Sequence, residues 1–127
     1  QCRTLDLFPT IAELAGIPLG KDFDELQGKS LLELIENPSN EEREVFVETG
    51  GLYGPWPSAR KHNVFCIRSN QKKLIYNDTP KTWELYDLEK DPMEINNIYE
   101  ENLLIVQDLK KRLIWNLNDN NIVTKIS

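Results

Sequence analysis

Four short segments rich in β-branched and aromatic residues lie close together in the middle of this 127-residue chain and restrict its fold more than any other feature. They predict strands at residues 44–49, 63–68, 73–77 and 83–87. Only residues 69–72 separate the second predicted strand from the third, which is short enough for a hairpin. We therefore predict a four-stranded antiparallel sheet.

A helix is predicted before the sheet, with a boundary signal at each end. Asp6 suits the N-cap, and Gly16 stands where a left-handed residue would end the helix. The helix has an apolar face made of Leu7, Ile11 and Leu14, with Phe8, Ala12 and Ala15 beside them. A second short helix over 31–36 is predicted, because Ser30 and Glu33 have the spacing of a capping box.

A third helix is predicted after the sheet, from leucine and valine at helical spacing. These residues are Leu103, Val106, Leu109, Leu113 and Leu117. The helix is expected to cover one face of the sheet. The predicted fold class is therefore α+β, a four-stranded antiparallel sheet packed against a C-terminal helix and preceded by one or two helices.

Charge and hydropathy exclude several classes of partner. The net charge of −6 makes a non-specific nucleic-acid binder improbable, because affinity for the phosphate backbone comes from clustered Lys and Arg. The apolar stretches are too short to span a membrane, and no signal peptide is recognised. Because the sequence starts at Gln1 without a methionine, we expect it to begin within a longer protein.

The two cysteines do not indicate in which cellular compartment the protein resides. Cys2 and Cys66 lie far apart and neither belongs to a C-x-x-C pair, so a zinc site is disfavoured. A disulfide and two free thiols are equally compatible with the sequence. The localisation is left unassigned.

Three stretches, taken in order, resemble the C-terminal region of the sulfatase family within the alkaline phosphatase superfamily. They are residues 6–18 (DLFPTIAELAGIP), residues 27–35 (QGKSLLELI), and a group made of 46–48 (FVE), 67–68 (IR), 73–75 (KLI) and 84–97 (ELYDLEKDPMEINN). The resemblance implies that 1–40 come from the end of the catalytic domain and that 41–127 form the C-terminal subdomain. The string 84–97 is the most specific, and we predict a structural role for it.

The resemblance also implies which chemistry lies elsewhere in the parent protein. Sulfatases use a formylglycine made from the Cys or Ser of a Cys/Ser-x-Pro-x-Arg motif, together with calcium, and this sequence lacks the motif. Pro57 to Arg60 is only superficially similar, since Pro55 stands where the nucleophile belongs. We expect no catalytic residue and no bound cofactor in this chain, which would complete the fold and shape the pocket for an anionic sulfate ester.

The long segment from Gly50 to His62 holds the candidate substrate-binding residues. Arg60, Lys61 and His62 would form a cationic rim suited to an anionic substrate, and Trp56, with Tyr53, could stack on a sugar or aryl group. An exposed histidine and locally packed aromatic side chains are the structural alternative for the same residues.

Three further expectations concern the function of the parent protein, the partner of the first helix and the ion pairs of the sheet. The parent could instead cleave a phosphodiester or phosphonate ester, or the chain could be a non-catalytic interaction module. The apolar face of the first helix would pack on the rest of the catalytic domain and would favour homo-oligomers of the isolated chain. Arg68 and Lys73 are expected to pair across the sheet with Glu48 or Glu84.

Overall fold

The computed structural model describes residues 2–24, 26–36, 44–49, 64–69, 71–78 and 80–119. The chain divides into two compact units, Gln1–Arg43 and Glu44–Ser127, which we call the N-terminal unit and the C-terminal unit. Each is described by itself.

The N-terminal unit contains two helices and two single turns of 3₁₀ helix. Helix α1 spans Leu7–Leu14 and α2 spans Leu32–Glu36, while the 3₁₀ turns lie at Thr4–Asp6 and Lys21–Phe23. The predicted end of α1 is confirmed, because Gly16 adopts a left-handed conformation with a φ of 65°. The N–H of Gly16 donates to the carbonyl of Glu13 and the N–H of Ile17 to that of Ala12, as in a Schellman motif.

The predicted N-cap of α1 needs correction, whereas Ser30 accepts a hydrogen bond at the start of α2 as predicted. Asp6 precedes α1, but its side chain makes no bond to the amides of that helix. Its carboxylate instead accepts from the backbone N–H of Arg3 at 3.0 Å, and so closes the preceding 3₁₀ turn. Before α2, the hydroxyl of Ser30 accepts from the N–H of Leu32 at 3.2 Å.

The apolar face of α1 is exposed. Leu7, Ile11 and Leu14 are 54%, 63% and 68% exposed, whereas the buried positions of the helix are Pro9, Thr10 and Ala12. The helix therefore turns its smaller side chains inward. A face of this kind favours association with another apolar surface, because burial of apolar area is what lowers its free energy in water.

The C-terminal unit confirms the predicted α+β fold. Strands β1 (Val45–Thr49), β2 (Val64–Arg68), β3 (Lys72–Asn77) and β4 (Thr82–Asp87) form one antiparallel sheet in sequence order. Helix α3, Leu103–Asp119, follows. Each predicted strand lies within two residues of its position in the structure.

The core of the C-terminal unit lies between α3 and one face of the sheet. Its buried residues are Phe65, Ile67, Leu74, Tyr76, Leu85, Val106, Leu109, Leu113 and Leu117. Full burial of a Leu, Ile or Phe side chain stabilises a fold by about 1.5–3 kcal/mol, so this set supplies most of the driving force for the unit. All four buried α3 residues are among those predicted from helical spacing, whereas Leu103, which was predicted with them, is 55% exposed.

Both cysteines carry free thiols. Cys2 is exposed, whereas Cys66 is buried in β2, and burial raises the pKa of its thiol to about 11. The Cys66 thiol is therefore protonated at neutral pH. Among the described helices, none has the length and apolar character needed to cross a membrane.

Candidate functional site

The predicted substrate-binding residues belong to the segment that joins β1 to β2. His62, Arg60, Lys61 and Trp56, with Tyr53, lie outside the described residues. The two ends of the segment are described, however, since Thr49 and Val64 are register partners at one end of the sheet. We call this end of the sheet, formed by Thr49, Val64, Asn77 and Thr82, the loop-bearing end.

Polar side chains are tied together on the sheet face opposite α3 near the loop-bearing end. The amide of Asn77 donates to the hydroxyl of Thr82 at 3.3 Å and to the carboxylate of Glu84 at 2.8 Å. The Tyr86 hydroxyl donates to the other Glu84 oxygen at 2.6 Å, and this bond is the main reason that the pKa of Tyr86 rises to about 12. The chain of bonds holds Glu84 in one orientation.

The turn between β3 and β4 places a lysine at the same end of the sheet. Lys81 has a left-handed backbone with a φ of 57°, which is uncommon for a residue with a side chain. Its ammonium group pairs with Asp78 at 2.5 Å and lies 5.8 Å from the centre of the Tyr76 ring. Sequence reasoning missed Lys81, although the turn between two predicted strands was a signal for it.

A second group of polar contacts joins the two N-terminal stretches on which the sulfatase resemblance rests. Asp6 is fully buried, pairs with Arg3 at 2.8 Å and accepts from the N–H of Lys29 at 3.0 Å. The Thr10 hydroxyl donates to the carbonyl of Asp6 at 2.5 Å and accepts from the N–H of Leu31 at 2.9 Å. Residues 29 and 31 are thus bonded to the beginning of α1, although they lie about twenty positions away.

Electrostatics and close packing both favour this arrangement. Burial by itself would raise the pKa of Asp6, but hydrogen bonds from the Arg3 side chain and from the backbone of Lys29 and Arg3 lower it to about 2. Gly28 lies directly against Leu5, where an added Cβ would come within 2.0 Å of the Leu5 carbonyl oxygen. Only glycine fits this approach.

The string 84–97 turns out to organise the backbone beyond β4. The Asp87 carboxylate accepts from the N–H of Glu89 at 3.3 Å, and Asp91 accepts from the N–H of Asn96 at 2.8 Å. The predicted partner of Lys73 was wrong, because its ammonium group pairs with Glu94 at 2.5 Å and not with Glu48 or Glu84. Glu94 lies in a turn, and nothing in its spacing pointed to β3.

A surface pocket of about 390 Å³ lies beside this string. Asp87, Lys90, Asp91, Asn96, Ile98, Glu101 and Asn102 line it. Its Asp87 carboxylate is paired with Lys72 at 2.9 Å, and that hydrogen-bonded contact lowers the pKa of Asp87. Within the described ranges, no group of three or more His, Cys, Asp and Glu side chains is placed to hold a metal ion.

Comparison with known proteins decides the family. Residues 2–120 match the family described as N-sulphoglucosamine sulphohydrolase, C-terminal. The chain belongs to this sulfatase family. An N-acetylglucosamine-6-O-sulfatase from Bacteroides thetaiotaomicron is 34% identical to this sulfatase C-terminal domain over 100 residues, and human arylsulfatase K is 32% identical over 102 residues.

The match covers most of this domain and only a small part of its relatives. It spans 75% of this chain and 17% of the bacterial sulfatase, and 74% of this chain and 18% of arylsulfatase K. Among solved structures, BT4656 in complex with its substrate D-glucosamine-2-N,6-O-disulfate superimposes with a TM-score of 0.70 at 27% identity. That superposition covers 89% of this chain and 23% of BT4656.

Proposed function

We propose that this chain is the C-terminal domain of an enzyme that hydrolyses sulfate esters of amino sugars. The observation that carries the proposal is the family match over residues 2–120, whose description names a sulphohydrolase of an amino sugar. Sulfated glucosamine is also the substrate class named for the similar N-acetylglucosamine-6-O-sulfatase and for the structure of BT4656 with D-glucosamine-2-N,6-O-disulfate. These names favour a sulfate ester over the phosphodiester or phosphonate ester that the sequence alone left open.

The reacting groups would come from other parts of the enzyme. A sulfatase needs a formylglycine nucleophile and a divalent cation that polarises the sulfate oxygens. Within the described residues no three His, Cys, Asp or Glu side chains are grouped to hold a cation, and the sequence lacks the Cys/Ser-x-Pro-x-Arg motif. We propose a structural, pocket-shaping role for this chain and derive no chemical step in it.

The pocket-shaping role would depend on the segment between β1 and β2. Arg60, Lys61 and His62 carry the donors that a sulfated sugar requires, and Trp56 offers an aromatic face for its ring. The register pairing of Thr49 with Val64 supports the role, because both ends of the segment start from a rigid sheet.

The N-terminal unit would belong to the catalytic domain of the parent enzyme. We assign 1–40 to the end of that domain and 41–127 to the C-terminal subdomain, with the rest of the catalytic domain as the partner of the α1 face. Two observations support the assignment. The residues Leu7, Ile11 and Leu14 are more than half exposed, and the compact units divide at residue 43.

Steady-state kinetics on the full-length enzyme that carries this sequence would test the proposal. We expect sulfate release from 6-O-sulfated N-acetylglucosamine and none of the corresponding activity with a phosphodiester. His62→Ala and Arg60→Ala should raise KM by about tenfold, the usual loss for one charge-assisted hydrogen bond to a ligand.

Lys90→Ala is a matched control, since Lys90 is an exposed cation that follows β4 at the end of the sheet opposite the loop-bearing end. It should leave KM unchanged. Equal effects of all three substitutions, or faster cleavage of the phosphodiester, would contradict the proposed function.

A further inference from the structure

In the C-terminal unit α3 packs on one face of the sheet, and a row of side chains crosses the opposite face. The row consists of Val47, Cys66, Ile75 and Glu84, which are register partners on successive strands. They share a face because side chains alternate along each strand. Val47 is 47% exposed and Ile75 is half-buried. The row therefore presents apolar side chains and ends in a carboxylate on β4.

The carboxylate of Glu84 is bound by neutral groups. One oxygen accepts from the Asn77 amide at 2.8 Å and the other from the Tyr86 hydroxyl at 2.6 Å. Within the described part of the chain, no lysine or arginine pairs with Glu84, whereas Asp87 on the same strand pairs with Lys72 at 2.9 Å. Neutral donors fix the orientation of a carboxylate and leave its negative charge uncompensated.

The hydrogen-bonding capacity that remains on Glu84 suits a guanidinium group. A carboxylate oxygen can accept two hydrogen bonds, and each Glu84 oxygen accepts one in the described contacts. One acceptor position is left on each oxygen, and an arginine binds such a pair with two parallel N–H groups. The aliphatic part of the arginine would lie on Ile75, the neighbour of Glu84 in the row.

Most of each similar sulfatase lies outside the matched region, which covers 17% of the bacterial sulfatase, 18% of arylsulfatase K and 23% of BT4656. We propose that the sheet face opposite α3 docks against this remaining part of the parent enzyme, which supplies an arginine to Glu84 and an apolar surface to Val47 and Ile75. Burial of apolar area and pairing of the carboxylate would both favour the contact. The inference rests on the proposed function only in making this chain one domain of a longer enzyme.

Thiol labelling of the full-length enzyme tests the contact, with Val47→Cys set against Glu48→Cys. Glu48 is the matched control, since it is the next residue of β1, is exposed and points to the other face of the sheet. In the folded enzyme a maleimide should modify position 47 about tenfold more slowly than position 48, because a covered thiol reacts only when the contact opens. In urea the two rates should be equal. Mass spectrometry of the peptides identifies each modified position.

Two further variants test the charge of Glu84. Added to Val47→Cys, Glu84→Lys should speed labelling at position 47 by about tenfold, since a cation would then face the arginine. Glu89→Lys, at an exposed residue beyond β4, should leave the rate unchanged. Thr49→Cys, at an exposed position on the same face of β1, replaces Val47→Cys if that variant does not fold.

Three outcomes would overturn the proposal. They are equal labelling of positions 47 and 48 in the folded enzyme, a rate that Glu84→Lys does not change, and slow labelling that becomes fast on dilution, which would indicate a second copy as the partner. Sulfate release by the same enzyme reports on the proposed function separately. An active enzyme with fast labelling at position 47 would contradict this inference alone.

Discussion

The two units of this chain differ in the forces that stabilise each of them. The C-terminal unit encloses nine buried core residues between a sheet and α3. In the described part of the N-terminal unit, Pro9 and Ala12 are the buried hydrophobic residues, and the contacts centre on the buried Asp6. We infer that hydrophobic burial stabilises the C-terminal unit, whereas a polar network fixes the shape of the N-terminal unit and leaves its apolar surface for a partner.

The largest effect should come from the core of the C-terminal unit. Leu74 is fully buried in β3, so Leu74→Ala should lower the free energy of unfolding by about 3 kcal/mol, from lost burial and the cavity that remains. Val47→Ala, at a residue that is 47% exposed, should cost under about 1 kcal/mol. Urea unfolding followed by fluorescence measures both, and equal losses would mean that this core does not dominate stability.

Substitution of a tightly packed glycine and of an open one tests the packing of the N-terminal unit. Gly28→Ala would push a Cβ against the Leu5 carbonyl, whereas Gly20→Ala has open space around it. We expect Gly28→Ala to cost about 2 kcal/mol and to speed amide exchange at Lys29 and Leu31 roughly 30-fold. Exchange at Leu74 should not change. The same behaviour of the two glycine variants would show that residues 27–31 are not packed as described.

The Asp6 network predicts a pH dependence confined to the N-terminal unit. The pKa of Asp6 falls from 3.8 to about 2 on folding, so its contribution is complete above about pH 4 and is lost as the pH falls towards 2. The difference corresponds to about 2 kcal/mol. Exchange at Lys29, measured between pH 5 and pH 2 and corrected for intrinsic rates, should report it.

Asp6→Asn is the control for this titration. The variant should lose protection at every pH and show no further change over that range, because asparagine does not titrate. A pH dependence that survives the substitution would assign the loss to another carboxyl group.

The smallest expected effect concerns self-association through the α1 face. Ile11 is 63% exposed, and Ile11→Asp should weaken association of the isolated chain by about tenfold, since it places a charge on the apolar surface. Glu13→Gln, on the same helix, should change it by less than twofold. Sedimentation equilibrium measures the association. A chain that is monomeric at all concentrations would contradict the prediction that it forms oligomers.

Local patterns were sufficient for most of the fold. β-branched and aromatic residues indicated the four strands, helical spacing indicated the buried face of α3, and Gly16 marked the end of α1, because each signal lies within one element. The bonds from Asp6 to Lys29 and from Glu94 to Lys73 were not predicted. They join residues more than twenty positions apart, and sequence spacing carries no information about such tertiary contacts.

The candidate site was predictable to a smaller degree. The family resemblance led to His62, Arg60, Lys61 and Trp56, and the structure adds only that Thr49 and Val64 hold the ends of their segment together. Lys81 and the Asn77–Glu84–Tyr86 hydrogen bonds were not predicted. A lysine in a turn and a glutamate on an edge strand occur in many ordinary structural settings, so neither residue indicates a site by itself. Their proximity to the loop-bearing end depends on strand register, which the sequence pattern does not specify.

Sulfate release from 6-O-sulfated N-acetylglucosamine is the most direct test of the central claim that this domain shapes a sulfatase site without performing its chemistry. The purified 127-residue chain, with calcium present, should release no sulfate above the buffer control, while the full-length enzyme should release it readily. Turnover by the chain alone would contradict the account and would place reacting groups among these residues.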